Sequence, residues 1–272
     1  MRKRLPTILL IFLFLLGLSI LLYPTVSNYW NDLHQSRAIA SYARQVSQLE
    51  GDTYERLWAD ARAYNRSLLE RDNDRVLSEG QKAEYAQMLN VSGLGIMGYV
   101  DIPSIGCKLP IYHGTEETVL QVAVGHLEWS SLPVGGQSTH CVLSGHRGLP
   151  SARLFTDLDK LSVGDTFLLR VLDETLTYVV DRISVVEPQQ TEALRIVPGE
   201  DYCTLVTCTP YGINTHRLLV RGRRTETAPE ARTVRVTADA VILEPELVAP
   251  FVAGLILLPA LIWLLLPRRR GK

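Results

Sequence analysis

The residues best equipped for chemistry lie in one stretch, Thr204-Leu-Val-Thr-Cys-Thr-Pro-Tyr-Gly-Ile-Asn-Thr-His-Arg-Leu-Leu-Val-Arg221. Thr204 to Thr207 is β-branched and apolar, the composition of a buried strand. Pro210, Gly212 and Asn214 are turn formers that end it, and Leu218 to Val220 opens a second apolar run. The pattern predicts strand, loop, strand, with Cys208 closing the first strand and Arg217 opening the second. If the strands pair, the loop folds Arg217 back toward Cys208. A thiol at a strand end beside a guanidinium is a candidate nucleophile with an anion stabiliser. The competing reading is a structural cysteine beside a surface arginine, since free cysteines are commonly buried and inert.

A cysteine nucleophile needs a histidine to share its proton, and the chain has six. His34 lies in a helical segment. His113 and His126 flank a candidate short helix and read as loop residues, and His140 begins a strand. His216 neighbours Arg217. His146 sits at a strand end in Ser144-Gly-His-Arg-Gly148, where glycines let the backbone bring an imidazole close to a ligand. Chemistry alone ranks His146 first, then His126 and His216. For any one of these histidines, a solvated loop residue remains the competing reading.

Two kinds of element must position these groups. From Asn28 to about Asn90 the apolar residues recur at helical spacing (Ile39, Ala43, Val46, then Leu57, Trp58, Ala61, Tyr64), with breaks at Gly51-Asp52 and Gly80. This segment reads as a stalk or cap. From Gly93 the pattern changes to short strands: Gly98 to Pro103, Lys108 to Tyr112, His140 to Ser144, Tyr202 to Thr207 and Arg217 to Gly222. Thr166 to Leu172 and Thr175 to Val186 flank Asp173-Glu174 as a hairpin. Short helices are expected at Glu116 to Val124 and Phe155 to Leu161. Strands at this density predict a mainly β domain, a barrel or sandwich.

The formal charge is −1 over 272 residues, so no basic excess points to nucleic acid. Leu5 to Tyr23 is apolar, follows Arg2, Lys3 and Arg4, and has the length of a membrane-spanning helix. No small-x-small cleavage site follows it, which favours an uncleaved anchor over a signal peptide. Leu247 to Leu266 is a second apolar run, closed by Pro267 and the basic cluster Arg268, Arg269, Arg270 and Lys272. Positive charge at both chain ends places both termini in the cytoplasm and residues of about 25 to 246 outside. The expected layout is an anchor at 1–24, a helical stalk at 25–92, a catalytic domain at 93–224, a linker at 225–246, a second membrane helix at 247–267 and a basic tail at 268–272. Cys107, Cys141, Cys203 and Cys208 form no CxxC pair, which argues against zinc. With Cys208 free for catalysis, the other three are expected to be reduced core residues. No metal or other cofactor is expected.

Thr204-Leu-Val-Thr-Cys208 with Arg217 resembles the active-site signature of sortases, the cysteine transpeptidases of Gram-positive cell surfaces, and Ser144-Gly-His-Arg-Gly148 resembles their histidine motif. The longer run Thr207 to Gly222, and the two membrane segments, resemble the class C, pilin-polymerising branch. The resemblance covers about Gly93 to Gly222. It implies a sortase-type closed β-barrel with Cys208 and Arg217 on neighbouring strands. By the same resemblance Cys208 is the nucleophile, His146 the proton carrier and Arg217 the oxyanion or substrate stabiliser. Thr207 is expected to orient substrate through its hydroxyl, and His126 resembles a second histidine near the family's active site, with a supporting role in substrate binding. The implied partners are pilins or surface proteins bearing a Leu-Pro-x-Thr-Gly signal, with an amine acceptor from a pilin lysine or a cell-wall precursor. Many class C members carry an Asp-Pro-aromatic lid motif. No such tripeptide occurs between Asn28 and Gly93, and Asp72-Asn73-Asp74 stands in about its place, so autoinhibition by a lid is not carried over. Other readings are a sortase that anchors proteins to peptidoglycan, a non-catalytic two-pass scaffold, and a hydrolytic cysteine peptidase.

Overall fold

The computed structural model describes residues 5–71 and 76–228. The lid-position residues Asp72-Asn73-Asp74, the linker beyond residue 228 and the second apolar run at 247–267 lie outside the described residues.

The first helix, α1, is Leu5–Val46 and contains Pro24. At 1.5 Å per residue it is roughly 60 Å long, and its two halves differ. The N-terminal half leaves Leu10, Phe14, Ile20 and Leu21 exposed; it is the one described helix long and apolar enough to cross a membrane. The C-terminal half buries Ile39, Tyr42 and Val46, spaced to face one side of the helix. Gly51–Leu69 forms α2, which buries Trp58, Ala61, Tyr64, Asn65 and Leu68. Glu79–Gln87 forms α3, which starts at a Ser78/Gln81 capping box. Gly80 therefore lies in the first turn of α3 and does not separate two helices.

Eight strands follow: β1 (Ile96–Ile102), β2 (Cys107–His113), β3 (Val124–His126), β4 (Thr139–Ser144), β5 (Thr166–Val171), β6 (Glu174–Val186), β7 (Asp201–Thr209) and β8 (His216–Thr225). They close into the expected barrel, in the order β1-β2-β3-β4-β7-β8-β6-β5. The β5–β6 hairpin turns at Leu172 and Asp173, and β8 runs to Thr225. The expected helix at 116–124 shrinks to α4 (Glu117–Leu120), and Phe155 to Leu161 holds only a 3-10 turn at Leu158–Lys160. Strand β3 begins at Val124, the expected last residue of the helix at 116–124, and takes in His126, expected in a loop. It is three residues long, too short for alternation to show, and it places His113 and His126 in strands, paired with each other in register. Most pairs are antiparallel; β2–β3 and β4–β7 are parallel, which requires a crossover connection.

The barrel interior is filled by alternate residues of each strand, among them Phe167, Tyr178, Cys203, Leu205 and Val220. Phe167 and Tyr178 stack at 5.5 Å between ring centroids. Only glycine fits opposite them on β8, because a Cβ at Gly222 would lie 2.5 Å from the Phe167 ring. The helices cover the outside and are pinned by polar bonds. The Tyr42 hydroxyl donates to Met97 O at 2.9 Å and accepts from Leu172 N–H at 2.7 Å. The Asn65 amide exchanges two bonds with the Leu132 backbone. In Tyr42→Phe a buried carbonyl and a buried amide lose their partner, which costs about 1–3 kcal/mol. Equilibrium urea unfolding is expected to show that loss; unchanged stability would mean water replaces the hydroxyl.

Candidate active site

Three neighbouring strands bring the site together. On β7, Cys203, Leu205 and Thr207 point inward, so Thr204, Val206 and Cys208 face outward. In the antiparallel β7–β8 ladder Cys208 is directly opposite Arg217. In the parallel β4–β7 ladder the partners run from Thr139↔Asp201 to Ser144↔Val206. The same offset of 62 continues past the last ladder pair: Thr207 Oγ1 donates to Gly145 O at 2.8 Å, and Arg147 bonds Thr209 Oγ1. Position 146 is thus level with position 208. Cys208 and Arg217 face each other on β7 and β8, and His146, two residues beyond the end of β4, falls at the same level by that offset.

The His146 backbone is held on every side. Gly145 N–H donates to Val206 O, and Phe155 N–H donates to His146 O, both at 3.1 Å. Gly148 N–H donates to Thr156 Oγ1, and Arg147 pairs with Asp159. The Phe155 ring lies so close to Gly145 that a Cβ there would meet it at 2.7 Å, which explains the glycine before the histidine. The imidazole retains 27% of its side-chain exposure, and its Nε2 is 3.5 Å from Glu117 Oε2 without forming a hydrogen bond. Arg217 Nη1 donates to Asn214 O at 3.2 Å and to His216 O at 3.1 Å. Among the described residues no carboxylate pairs with it, so its charge is available to an anion.

Next to this rung the outer face is apolar. Val206, Val142 and Leu219 pack with Leu194, flanked by Leu127, Trp129, Val186 and Ala193. Beyond that strip the His140 ring bonds Arg195 O at 2.8 Å and Thr204 Oγ1 at 2.7 Å, tying the β6–β7 connection to the sheet. Arg221 stacks 4.2 Å over Tyr202 and forms a two-pronged pair with Asp181.

The four thiols have different surroundings. Cys141 and Cys203 are buried neighbours in the β4–β7 register, and burial pushes the Cys203 thiol well above its usual range. Burial also pushes Cys107 up to about 12. Cys208 is half-buried at the barrel rim and is the one that lies level with a histidine and opposite an unpaired guanidinium. That arrangement suits acyl transfer: a thiolate to attack a carbonyl, an imidazolium to protonate the leaving group, and a cation for the oxyanion.

A family model described as the sortase domain matches residues 100–225. The crystal structure of sortase C1 from Streptococcus agalactiae is 50% identical, covering 71% of this chain and 100% of that one, with a TM-score of 0.69. The chain belongs to the sortase family. A sortase C structure from Streptococcus pneumoniae is 48% identical over 71% of this chain and 99% of its own, with a TM-score of 0.64. Sortase A of Streptococcus agalactiae serotype III (strain NEM316) is 27% identical over 87% of this chain and 89% of that protein. The solved relatives place this sortase in class C, and its activity is that of a cysteine transpeptidase.

Two of the substrate-binding expectations need correction. His126 is fully buried. Its Nδ1 meets the Tyr85 hydroxyl at 2.9 Å and its Nε2 meets Ser131 O at 2.9 Å, so it joins α3 to the barrel and presents no surface to a substrate. Thr207 is also buried; its hydroxyl is used on Gly145 O, so it bears on the His146 turn instead of on substrate. His216 bonds Thr215 and alternates to the face opposite Arg217. His113 is held by Gly95 O and Met88 O, and His34 by Trp30 O. Phe155 and Glu117, both beside His146, were not singled out from the sequence, and no spacing signal joins them to it.

Thr207→Val keeps the side-chain shape but leaves the Gly145 carbonyl unpaired, which costs about 1–3 kcal/mol. Turnover of a sorting-signal peptide is expected to fall about tenfold, mainly in kcat, as 1.4 kcal/mol is one decade; an unchanged kcat would remove Thr207 from the positioning of His146. His140 carries a pH dependence. Burial pushes its pKa down from 6.5 to about 4, the Arg221 charge adds to this, and the bond to Arg195 O opposes it. Above the unfolded value of 6.5 the ring is neutral in both states. Between 6.5 and about 4 the unfolded chain takes up a proton that the folded chain refuses, so stability falls as pH falls. The loss is at most about 3 kcal/mol across that window. Urea midpoints measured from pH 7 to 4 are expected to flatten in His140→Gln; an identical slope would contradict the assignment.

Proposed function

We propose that this sortase polymerises pilins, with Cys208, His146 and Arg217 as its catalytic residues. The single observation that supports this reading best is the pairing of Cys208 with Arg217 on β7 and β8, with the turn after β4 bringing His146 to the same level. The Cys208 thiolate attacks the threonine carbonyl of a Leu-Pro-x-Thr-Gly-like signal, and the C–S bond forms as Arg217 stabilises the oxyanion. The Thr–Gly C–N bond then breaks, and the His146 imidazolium gives its proton to the departing glycine amine. A pilin lysine ε-amine attacks the thioester and passes its proton to the imidazole. The new isopeptide C–N bond expels the thiolate and restores the starting state. The apolar part of the signal lies along Val206, Val142 and Leu219, which adjoin the cysteine.

Location supports the same reading. The exposed apolar half of α1 and the basic residues at both chain ends fit a two-pass protein with the barrel on the outer side of the membrane. The Streptococcus pneumoniae relative is described in terms of pilin substrate specificity. A second reading, anchoring of surface proteins to a peptidoglycan amine, uses the same acyl-enzyme and differs only in the acceptor.

The test offers a sorting-signal peptide with two acceptors, a pilin-derived lysine peptide and a cell-wall cross-bridge amine, and reads the products by mass spectrometry. A lysine isopeptide that disappears in Cys208→Ala is expected. Transfer to the wall amine alone would move the function to anchoring.

A further inference from the structure

On the far side of the closed ring from Cys208, the helices and the barrel line an open cavity of about 540 Å³. Its barrel wall is the outer face of β1, β5 and β6, carrying Tyr99, Arg170 and Thr175; its helical wall carries Tyr42, Val46 and Tyr54. Phe167, Leu169 and Val171 of β5 face the interior, so Arg170 points out of the barrel, under the helices.

Arg170 is 7% exposed. Its Nη1 donates to Thr175 Oγ1 at 3.0 Å, and its Nε is buried with no hydrogen-bond partner. Among the described residues no carboxylate pairs with it, whereas Arg221, Arg223 and Arg147 each have one. A buried guanidinium without a counter-ion is costly, and no step of acyl transfer uses one on this side of the barrel.

A second feature points to the same space. Gly51, the first residue of α2, lines the cavity. The N-cap Glu50 makes no side-chain cap bond, and the first intrahelical bond runs from Tyr54 N–H to Glu50 O. The amides of Gly51, Asp52 and Thr53 therefore lack the usual cap at the positive end of a 19-residue helix. A helix N-terminus and a buried arginine that line one cavity are a setting for an oxyanion. Asp173 and Glu174 are exposed and line the cavity as well, and burial, with Asp173 beside it, holds the Tyr54 hydroxyl protonated well above its usual range. These two carboxylates repel an anion, so a ligand held here must keep its charge at one end, beside Arg170 and away from them. The tyrosine rings with Val46, Leu49 and Leu172 then surround an apolar body.

We infer that the cavity between α1–α2 and strands β1, β5 and β6 is a binding site for a small organic anion, a carboxylate or phosphate monoester, held by Arg170 and the N-terminus of α2. The test is calorimetric titration of the full-length protein in detergent with phenyl phosphate and, separately, benzoate, with inorganic phosphate to measure the head group alone. Saturable one-to-one binding of phenyl phosphate or benzoate is expected, weakened at least tenfold in Arg170→Met and retained in part in Arg170→Lys. Ser47→Trp puts a bulky ring on the helical wall of the cavity and leaves Arg170 in the sequence; it is expected to abolish binding, so the test stands even if Arg170→Met does not fold. Sorting-signal turnover in Ser47→Trp is expected to match wild type. Stronger binding of phenyl phosphate than of benzoate would assign the phosphate class, and the reverse order the carboxylate class. No saturable binding of either organic anion, or equal binding in wild type and Ser47→Trp, would overturn the inference.

Discussion

The parallel pairing of β4 with β7 is the constraint on which the site depends. The two strands are far apart in sequence, and the whole β5–β6 hairpin lies between them. Their register puts Ser144 beside Val206, and the Thr207–Gly145 bond carries that register one residue into the turn. A one-residue slip would send every outward side chain of a strand inward, and the histidine would leave the thiol's face. The packed interior fixes the register: Leu205 and Val220 fill the barrel, and Gly222 makes room for Phe167 and Tyr178. Chemistry on the outer face is therefore set by packing on the inner one.

The helical segment contributes in a different way. One helix, α1, is apolar and exposed in its first half and packed on the barrel in its second. Ser27 and Asn31 reach Ser151 O, and Gln35 reaches Val122 O, so the helix is bonded to the loops after β4 and α4. Ser151 lies in the same connection as Phe155, whose amide holds His146 O. Helix α1 is thus joined by hydrogen bonds to the loop that supports the histidine. Tyr85 and His126 make a similar connection between α3 and β3.

Much of this was legible in the sequence. The strands flanking Cys208 and His146 are long, β-branched runs ended by turn residues, and the local pattern is enough to find them. Cys208 and Arg217 are one hairpin apart, so their pairing also follows from local signals. The roles of Thr207 and His126 were not legible in the same way. Thr207 stands next to the thiol in sequence, yet strand alternation turns it to the other face, where only the β4 neighbour reveals its use. His126 sits in a three-residue strand whose burial depends on Tyr85, 41 positions away. The site in front of Arg170 was equally hidden, because an arginine in an alternating strand reads as a solvated position until a helix is found covering it.

The most direct test of that shared level is a cross-link. His146→Cys would place a second thiol level with Cys208, and mild oxidation with a small-molecule disulfide would join neighbours. Peptide mapping is predicted to show a bond between position 146 and Cys208, and none to Cys208 when the new thiol is introduced one residue along, in Arg147→Cys. No bond at 146, or a bond only from 147, would contradict the register and with it the assignment of His146 to the site.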